Sequence, residues 1–348
     1  MTPRARLLVL LGVVLVLAGV GTVAVLHAAD RADRRNHVQP GGPRVTAGRV
    51  SLASPSSSGL MVFRNMAWGP HRDELTRVPA GDPGGPRVAS GVKCLRFHAS
   101  SGTGICLQAR HGALRDTYRA VVLDSRLREK AHYDVPGIPS RARVSPSGHL
   151  AAWTAFVGGD SYAGTNFSTR TAILDVRTGK LIPSLEAFRI VKDGRVYRSA
   201  DANFWGVTFS SDDRHFYATL ATRGKTYLVR GDLRARTVTT LRANVECPSL
   251  SPDGTRIAFK KRVEGRSADA PWRLYVLDLR SMREVALAET RSVDDQVVWR
   301  GGSGSGGGGR AVVYGLPGDY GADLYEVPAD GSGAPRRLMK AAVSPVYL

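Results

Sequence analysis

The sequence contains little cysteine, few aromatic residues and little lysine. Three of its 348 residues are Cys and 7% are aromatic. Three cysteines cannot form a disulfide-dense scaffold, and their spacing matches no zinc motif. Beyond residue 30 no long segment has apolar residues at helical spacing, so we expect few helices there. Because 43% of the residues are hydrophobic, the chain can nevertheless bury a substantial core.

Familiar catalytic motifs are absent as well. The sequence has neither the G-x-S-x-G nucleophile turn nor the H-E-x-x-H zinc helix. The glycine-rich segment GGSGSGGGGR lacks the Lys-Ser/Thr ending of a phosphate-binding loop, so we interpret it as a long flexible turn. We therefore expect no catalytic residues, no enzyme activity and no cofactor.

The basic residues are almost all Arg. Of 49 Lys and Arg residues 41 are Arg, and the net charge is +19. Such a charge favours polyanions, including nucleic acid or an anionic envelope surface. The Arg residues are spread along the chain, however, without a dense basic run or an interleaved aromatic motif. We therefore favour a solvated basic surface and expect no nucleic-acid partner.

A hydrophobic segment lies near the N-terminus. Arg4 and Arg6 precede residues 7–26, which carry no charge. This length suits a bilayer span, which needs about 20 residues, better than a cleaved signal, whose apolar part has roughly 7–15. The small residues Ala28 and Ala29 leave cleavage of a long signal peptide as the alternative.

These features divide the chain into three parts. We assign residues 1–29 to a signal-anchor or signal peptide, 30–45 to a polar tether and 46–348 to the folded domain. A long segment after the first span is translocated largely regardless of its charge. The sequence therefore predicts a single-pass plasma-membrane protein with its domain outside the cytoplasm, or a secreted protein if the signal is cleaved.

Two of the cysteines stand close together in the sequence. Cys94 and Cys106 flank a segment that looks like a hairpin. Neighbouring antiparallel strands can satisfy disulfide geometry, so we expect this pair to be bonded if the domain lies outside the cytoplasm. Two small buried thiols are the alternative interpretation. We expect Cys247 to be a buried free thiol.

One strand-turn-strand pattern recurs through the domain. Its clearest copy is SPDGTRIAF at 251–259, and five other segments carry related turns. A second turn follows each first turn, in three units as Leu-Asp-x-Arg, for example YVLDLR. Each unit therefore contains two hairpins, or four short antiparallel strands.

Units of four strands bury both faces when they pack radially, as in a β-propeller. The sequence thus predicts an all-β fold, a six-bladed β-propeller of four-stranded antiparallel blades, preceded by one N-terminal hydrophobic helix. The predicted blades span 46–90, 91–136, 139–187, 202–242, 244–290 and 293–340.

Two further segments predict how the ring closes and where an additional hairpin lies. We expect the C-terminal AAVSPVYL to help close the ring against the first blade, because a propeller must hide its edge strands. The segment RVSLAS near residue 50 could take the same place. RIVKDGRVYR predicts an additional hairpin between blades three and four.

The clearest units, SPDGTRIAF followed by LYVLDL above all, resemble the propeller repeat of TolB. A similar repeat occurs in the propellers of prolyl-oligopeptidase-type peptidases. The resemblance covers about 290 residues and implies a six-bladed propeller that acts in the cell envelope and binds protein partners on one face. The segment before residue 46 is too short for the small α/β domain that precedes the propeller in TolB. The peptidases carry a hydrolase domain after theirs.

Polar residues lead into the inner strands of the last three blades. In a propeller of this connectivity these segments lie near the mouth of the central channel. Converging carboxylates and amides can hold a hard cation, such as Ca²⁺, or hydrogen-bond a sugar or peptide. Capping of strand ends and ion pairs with Arg are the alternative explanation. The candidate ligand-binding or partner-binding residues are Asp201, Asn203, Trp205, Glu246, Asp294, Asp295 and Gln296.

Together these features predict a membrane-anchored, extracytoplasmic propeller. We expect a monomer that binds an envelope protein as a partner. The alternatives are a propeller enzyme, a lyase or hydrolase that acts on envelope polysaccharide at the channel mouth, and a structural or sensory ectodomain.

Overall fold

The computed structural model describes residues 2–38, 40–53, 59–112, 115–162, 167–300 and 309–348. Two features expected from the sequence fall wholly or partly outside these ranges. They are the first turn of blade one and the glycine-rich turn of blade six.

The described residues form a six-bladed β-propeller preceded by one long helix, α1 (Pro3–Asn36). Blades one to three contain β1 Val45–Ala47, β2 Leu60–Asn65, β3 Glu74–Pro79, β4 Arg87–Lys93, β5 Arg96–Ser100, β6 Thr103–Arg110, β7 Thr117–Leu123, β8 Glu129–Val135, β9 Ile138–Val144, β10 Leu150–Gly158, β11 Ser168–Asp175 and β12 Lys180–Ile182. A short 3₁₀ turn, Leu185–Ala187, follows.

Blades four to six and the closing strand complete the ring. They contain β13 Arg189–Lys192, β14 Arg195–Tyr197, β15 Asn203–Phe209, β16 His215–Thr222, β17 Lys225–Asp232, β18 Thr237–Ala243, β19 Glu246–Leu250, β20 Arg256–Arg262, β21 Trp272–Asp278, β22 Glu284–Ala286, β23 Val298–Arg300, β24 Ala311–Leu316, β25 Asp323–Pro328, β26 Arg336–Met339 and β27 Ala342–Tyr347. The predicted fold class is confirmed.

Local hydrogen bonds explain why the recurring turns form. In blade five, Asp253 Oδ1 accepts a hydrogen bond from Thr255 N at 3.0 Å, and Gly254 has a φ of 72°, which glycine adopts at low cost. In the second turn, Asp278 Oδ1 accepts from Ser281 N at 2.7 Å. These turns set the register of the hairpins within the blade.

The first blade is assembled from both ends of the chain. Strand β27 is its inner strand and pairs antiparallel with β2, as Val62 lies opposite Val346. The expected blade 46–90 therefore supplies only the outer strands, including β1, which pairs parallel with β4. Among the described residues, β27 and not RVSLAS forms the inner strand of blade one. Val50 and Leu52 instead pack in a core shared with Cys106.

Two further predicted features are present. Strands β13 and β14 form the additional hairpin, and β13 pairs parallel with β18, so blade four becomes a six-stranded sheet. Cys94 and Cys106 are joined in a disulfide between the start of blade two and its second strand, while Cys247 is a buried free thiol.

Helix α1 differs from the propeller in its surroundings. Its apolar side chains are exposed, for example Leu15 at 65% and Val16 at 66%. The helix is long and apolar enough to cross a membrane, and a signal sequence near an N-terminus meets the same criterion.

Candidate functional site

The candidate site lies on the face where the inner strands begin. Within a blade the strands alternate in direction, so the loop between the second and third strands returns to this face. In blade five this loop is 263–271. The turns at 251–254 and 279–283 lie on the opposite face. We call the first surface the mouth face, because the central channel opens there.

The mouth face contains a recess of about 410 Å³. It is lined by residues of blades two, five and six and of the closing strand, among them Arg96, Trp272, Asp294, Asp295 and Ser344. Beneath it lies a smaller cavity of about 30 Å³, the channel cavity, which shares Arg96, Asp295 and Ser344 with the recess. The mouth therefore combines both signs of charge.

Lys260 is the central residue beside the recess. It lies on β20 directly opposite Glu246 on β19, and both side chains are fully buried. Its Nζ donates to Asp294 Oδ1 and lies 3.8 Å from Glu246 Oε2. The same Nζ lies 3.6 Å from the ring centre of Trp272, a cation–π contact. One ammonium group thus joins blade five to the segment that precedes β23.

Two arginines complete this ion-pair network. Arg141 Nη2 donates to Asp294 Oδ1 at 3.1 Å, and Arg262 Nε donates to Glu246 Oε1 at 2.8 Å. Burial raises the pKa of Asp294, but Lys260 and Arg141 more than offset this and hold it below its ordinary value. Asp294 is therefore ionised, and both Asp294 and Glu246 already have basic partners.

Asp295 and Gln296 hold neighbouring blades together. Asp295 Oδ2 accepts from Gly315 N at 2.9 Å. Gln296 Nε2 donates to Val207 O at 3.0 Å and to Pro248 O at 2.8 Å. Gln296 thus ties blade six to the inner strands of blades four and five, while Asp295 lines both the recess and the channel cavity.

The structure does not bring Asp201 and Asn203 into this group. Asp201 is exposed and accepts hydrogen bonds from Thr222 Oγ1 at 2.7 Å and Arg223 N at 2.5 Å. Asn203 Oδ1 accepts from Thr169 N at 2.9 Å and so links blade four to blade three. Both side chains serve local structure.

Trp205 also differs from the expected binding surface. It is 1% exposed and packs against Tyr162 and Phe167, with ring centroids 5.1 and 5.3 Å apart. Its ring belongs to a buried aromatic cluster that also contains Phe156 and Trp272. Trp272, which sequence reasoning did not single out, lies in the wall of the recess but is likewise 1% exposed.

Sequence reasoning missed most of the basic residues at the site. Arg96 opens β5, and Arg141 and Arg143 alternate with Ala142 on β9. A signal existed, because the inner strands of blades two and three contain these Arg residues. Lys260 gave no such signal, since it lies near the end of a second strand.

The donor set at the mouth does not suit a Ca²⁺ ion. Hard cations prefer several free carboxylate or carbonyl oxygens. Here Glu246 and Asp294 are paired with Lys260, Arg141 and Arg262. Among the residues that the structure describes, no group of three or more His, Cys, Asp or Glu side chains lies together as a metal site.

Comparison with solved structures shows a fold similar to one already known. TolB from Acinetobacter baumannii aligns over 84% of this chain and 66% of its own, with 18% identity and a TM-score of 0.52. The fold is similar to that of TolB. At this level of identity the likeness concerns the fold alone, and this TolB-like propeller spans just under two thirds of the TolB chain.

Two further solved structures align with this chain less closely. A puromycin-hydrolysing peptidase from Mycobacterium tuberculosis aligns over 88% of this chain and 48% of its own, with 17% identity and a TM-score of 0.49. An oligogalacturonate lyase in complex with manganese aligns over 80% and 76%, with 9% identity and a TM-score of 0.49. No protein-family model matches the sequence, and no curated protein is similar to it.

Proposed function

We propose that this protein is a membrane-anchored, extracytoplasmic propeller that binds an envelope protein at its mouth face. The observation that carries the proposal is the recess of about 410 Å³ on this face, with Arg96, Asp295 and Trp272 in its wall. A concave surface with a few convergent polar groups is typical of recognition sites. The TolB-like fold supports a protein-binding role.

The chemistry of the mouth favours binding over catalysis. A general acid or base is usually held near the operating pH by its surroundings. Asp294 instead has a lowered pKa, because Lys260 and Arg141 outweigh the effect of burial. Burial raises the pKa of the Cys247 thiol, so this group is not poised as a nucleophile. We therefore assign Asp294 and Cys247 to the structure of the site, and we expect a ligand to contact the rim of the recess.

The exposed apolar surface of α1 supports the anchor. Contiguous exposed apolar surface on this scale is unfavourable in water and is stable in a bilayer. We infer that residues 1–29 form the anchor, 30–45 the tether and 46–348 the propeller. Retention of α1 makes the protein single-pass, whereas cleavage would release the same domain.

A co-purification experiment tests the proposal. Asp269 is exposed on the rim of the recess, and no described residue bonds to its carboxylate. Full-length protein solubilised from membranes is expected to retain one stoichiometric protein partner. Asp269→Arg is expected to lose it, because the substitution adds bulk and reverses charge at the rim.

The matched control is Asp134→Arg on β8, an exposed position on the outer strand of blade two. This variant should keep the partner. Retention in Asp269→Arg, or loss in both variants, would place the partner elsewhere. Turnover of envelope polysaccharide by the purified protein would replace the binding proposal with an enzyme.

A further inference from the structure

The channel cavity contains a buried arginine without a counter-ion. Arg143 is 7% exposed, and its Nη2 donates to Val297 O at 3.2 Å. Its Nε is buried and has no hydrogen-bond partner among the described residues. Within the same residues no carboxylate oxygen lies within 4.0 Å of its guanidinium. A buried charge in this state costs free energy until an anion compensates it.

A second arginine shares the cavity. Arg96 Nε donates to Ser140 O at 2.8 Å, and the side chain lines both the channel cavity and the recess. Burial lowers the pKa of Arg96 and of Arg143 to about 10, and the nearby Arg141 adds to the effect, while the charge of Asp295 offsets only part of it. The direction of both shifts shows that the charged forms are incompletely compensated.

The neighbouring acids are already engaged. Asp294 is shared by Lys260 and Arg141. Asp295 accepts hydrogen bonds from Gly315 N and from Gln296 N, at 2.9 and 2.8 Å. These two carboxylates therefore leave Arg143 without a direct partner.

The neutral groups of the cavity do not supply the missing anion either. His98 Nδ1 accepts from Val144 N at 3.1 Å, and burial, together with Arg143, holds the pKa of this imidazole well below its ordinary value. His98 is consequently neutral at physiological pH. It presents no charge to Arg143 and adds none to the excess of positive charge.

The free space has the size of a small anion. At about 30 Å³ the cavity exceeds the 10–15 Å³ that one water requires and holds roughly two or three non-hydrogen atoms. It continues into the larger recess along Arg96, Asp295 and Ser344. A group attached to the anion can therefore extend into the mouth.

We propose that the channel cavity binds one carboxylate group, whose oxygens accept hydrogen bonds from Arg143 and Arg96. A carboxylate has the charge that the arginines lack, and its two oxygens match the forked donors of guanidinium. The carboxylate belongs either to a small free acid or to the end of a chain that lies in the recess. The site goes beyond the proposed function and does not require a protein partner.

Thermal unfolding of the full-length protein in detergent tests this site with formate as the probe. Formate replaces the bulky sulfonate MES at equal pH and ionic strength. The melting temperature of the wild-type protein is expected to rise with formate concentration, because a ligand that binds only the folded state stabilises it. The rise should be absent in Arg143→Met.

The variants are chosen so that folding does not decide the result. Methionine approximates the length of Arg143 without its unpaired charge, and such a replacement is often neutral or stabilising. Arg96→Met offers a second test and should weaken the formate effect. Arg230→Met, at an exposed position on β17, is the matched control and should retain it. An equal formate effect in Arg143→Met, or none in the wild-type protein, would overturn the proposal.

Calorimetry distinguishes the two sources of the carboxylate. Acetylated dialanine with a free C-terminus is titrated against the same peptide as its amide. Binding of the acid but not of the amide assigns the site to a chain end. Binding of formate without either peptide assigns it to a small free acid. Equal binding of acid and amide would contradict recognition of the carboxylate.

Discussion

Lys260 shows how the mouth is held together at the level of one residue. Its ammonium group is completely buried, yet it contacts Asp294, approaches Glu246 and lies over Trp272. A buried ion pair is not in itself a strong source of stability, because both charges lose their hydration. Removing one partner, however, leaves the other charged group buried with fewer partners.

The variant Lys260→Met is therefore expected to destabilise the fold by about 1–3 kcal/mol, because both carboxylates keep an arginine partner. Denaturant unfolding of the full-length protein measures the change in the free energy of unfolding. The double variant with Asp294→Asn should lose less than the sum of the two single variants, because the groups are coupled. Additive losses would show that Lys260 and Asp294 do not interact. Arg177→Met, at an exposed turn, is the control and should have little effect.

Asp201 makes a prediction about pH. Hydrogen bonds from Ser199, the backbone of Arg223 and Thr222 lower its pKa from 3.8 to about 2. A carboxyl group whose pKa is lower in the folded state stabilises the fold above its unfolded pKa. That contribution is lost as the pH falls from about 4 through about 2.

Comparison with Asp201→Asn isolates this contribution. The wild-type protein should melt at a higher temperature than the variant at pH 7, and the difference should shrink from about pH 4 downward and be lost below about pH 2. A difference that stayed constant from pH 7 to pH 2 would show that ionisation of Asp201 does not stabilise the fold.

Residue-scale contacts also explain what could be predicted from sequence. Asp253 and Asp278 bond to backbone groups two or three residues away, so their turns are visible in the local sequence. Arg141 meets Asp294 across 153 positions of sequence. No local pattern encodes that pairing. From the sequence, Glu246 and Asp294 therefore looked like carboxylates available to a ligand, although in the structure they form ion pairs with Lys and Arg.

At the scale of elements, two links hold blades one and two. Strand β27 closes the ring and gives β2 a partner on its inner edge. Arg87, at the start of β4, reinforces the closure by donating to Ala341 O at 2.9 Å. The C-terminal sequence predicted such a closure. Whether it or RVSLAS forms the inner strand depends on pairing between segments far apart in the sequence, which the sequence does not reveal.

The disulfide in blade two is the second link and gives an element-scale prediction. Cross-linking a short loop restricts the unfolded chain, and the usual contribution is about 2–4 kcal/mol. The double variant Cys94→Ser with Cys106→Ser should therefore melt at a lower temperature than the wild-type protein. A reductant should lower the melting temperature of the wild-type protein and of Cys247→Ala, but not that of the double variant.

Thiol counting under denaturing conditions provides the control for this prediction. One free thiol is expected before reduction, from Cys247, and three afterwards. Three thiols before reduction, in protein taken directly from its native compartment, would show that the pair is reduced there. That result would also contradict the extracytoplasmic location, since disulfides persist in oxidising compartments.

At the scale of the whole molecule, function depends on which propeller face is used. The mouth face contains the recess, the ion-pair network and the channel cavity, whereas the opposite face contains the repeated turns. The turns are explained by backbone geometry. The mouth carries the ion-pair network and the recess, and it is where we expect a partner.

Photo-crosslinking in native membranes tests this claim most directly. A photoreactive amino acid replaces either Ala270, exposed beside the recess, or Arg280, exposed in a turn of the opposite face. If the partner binds the mouth face, we expect one discrete crosslinked protein from position 270 and none from position 280. Crosslinking to the same protein from position 280, with none from position 270, would contradict it.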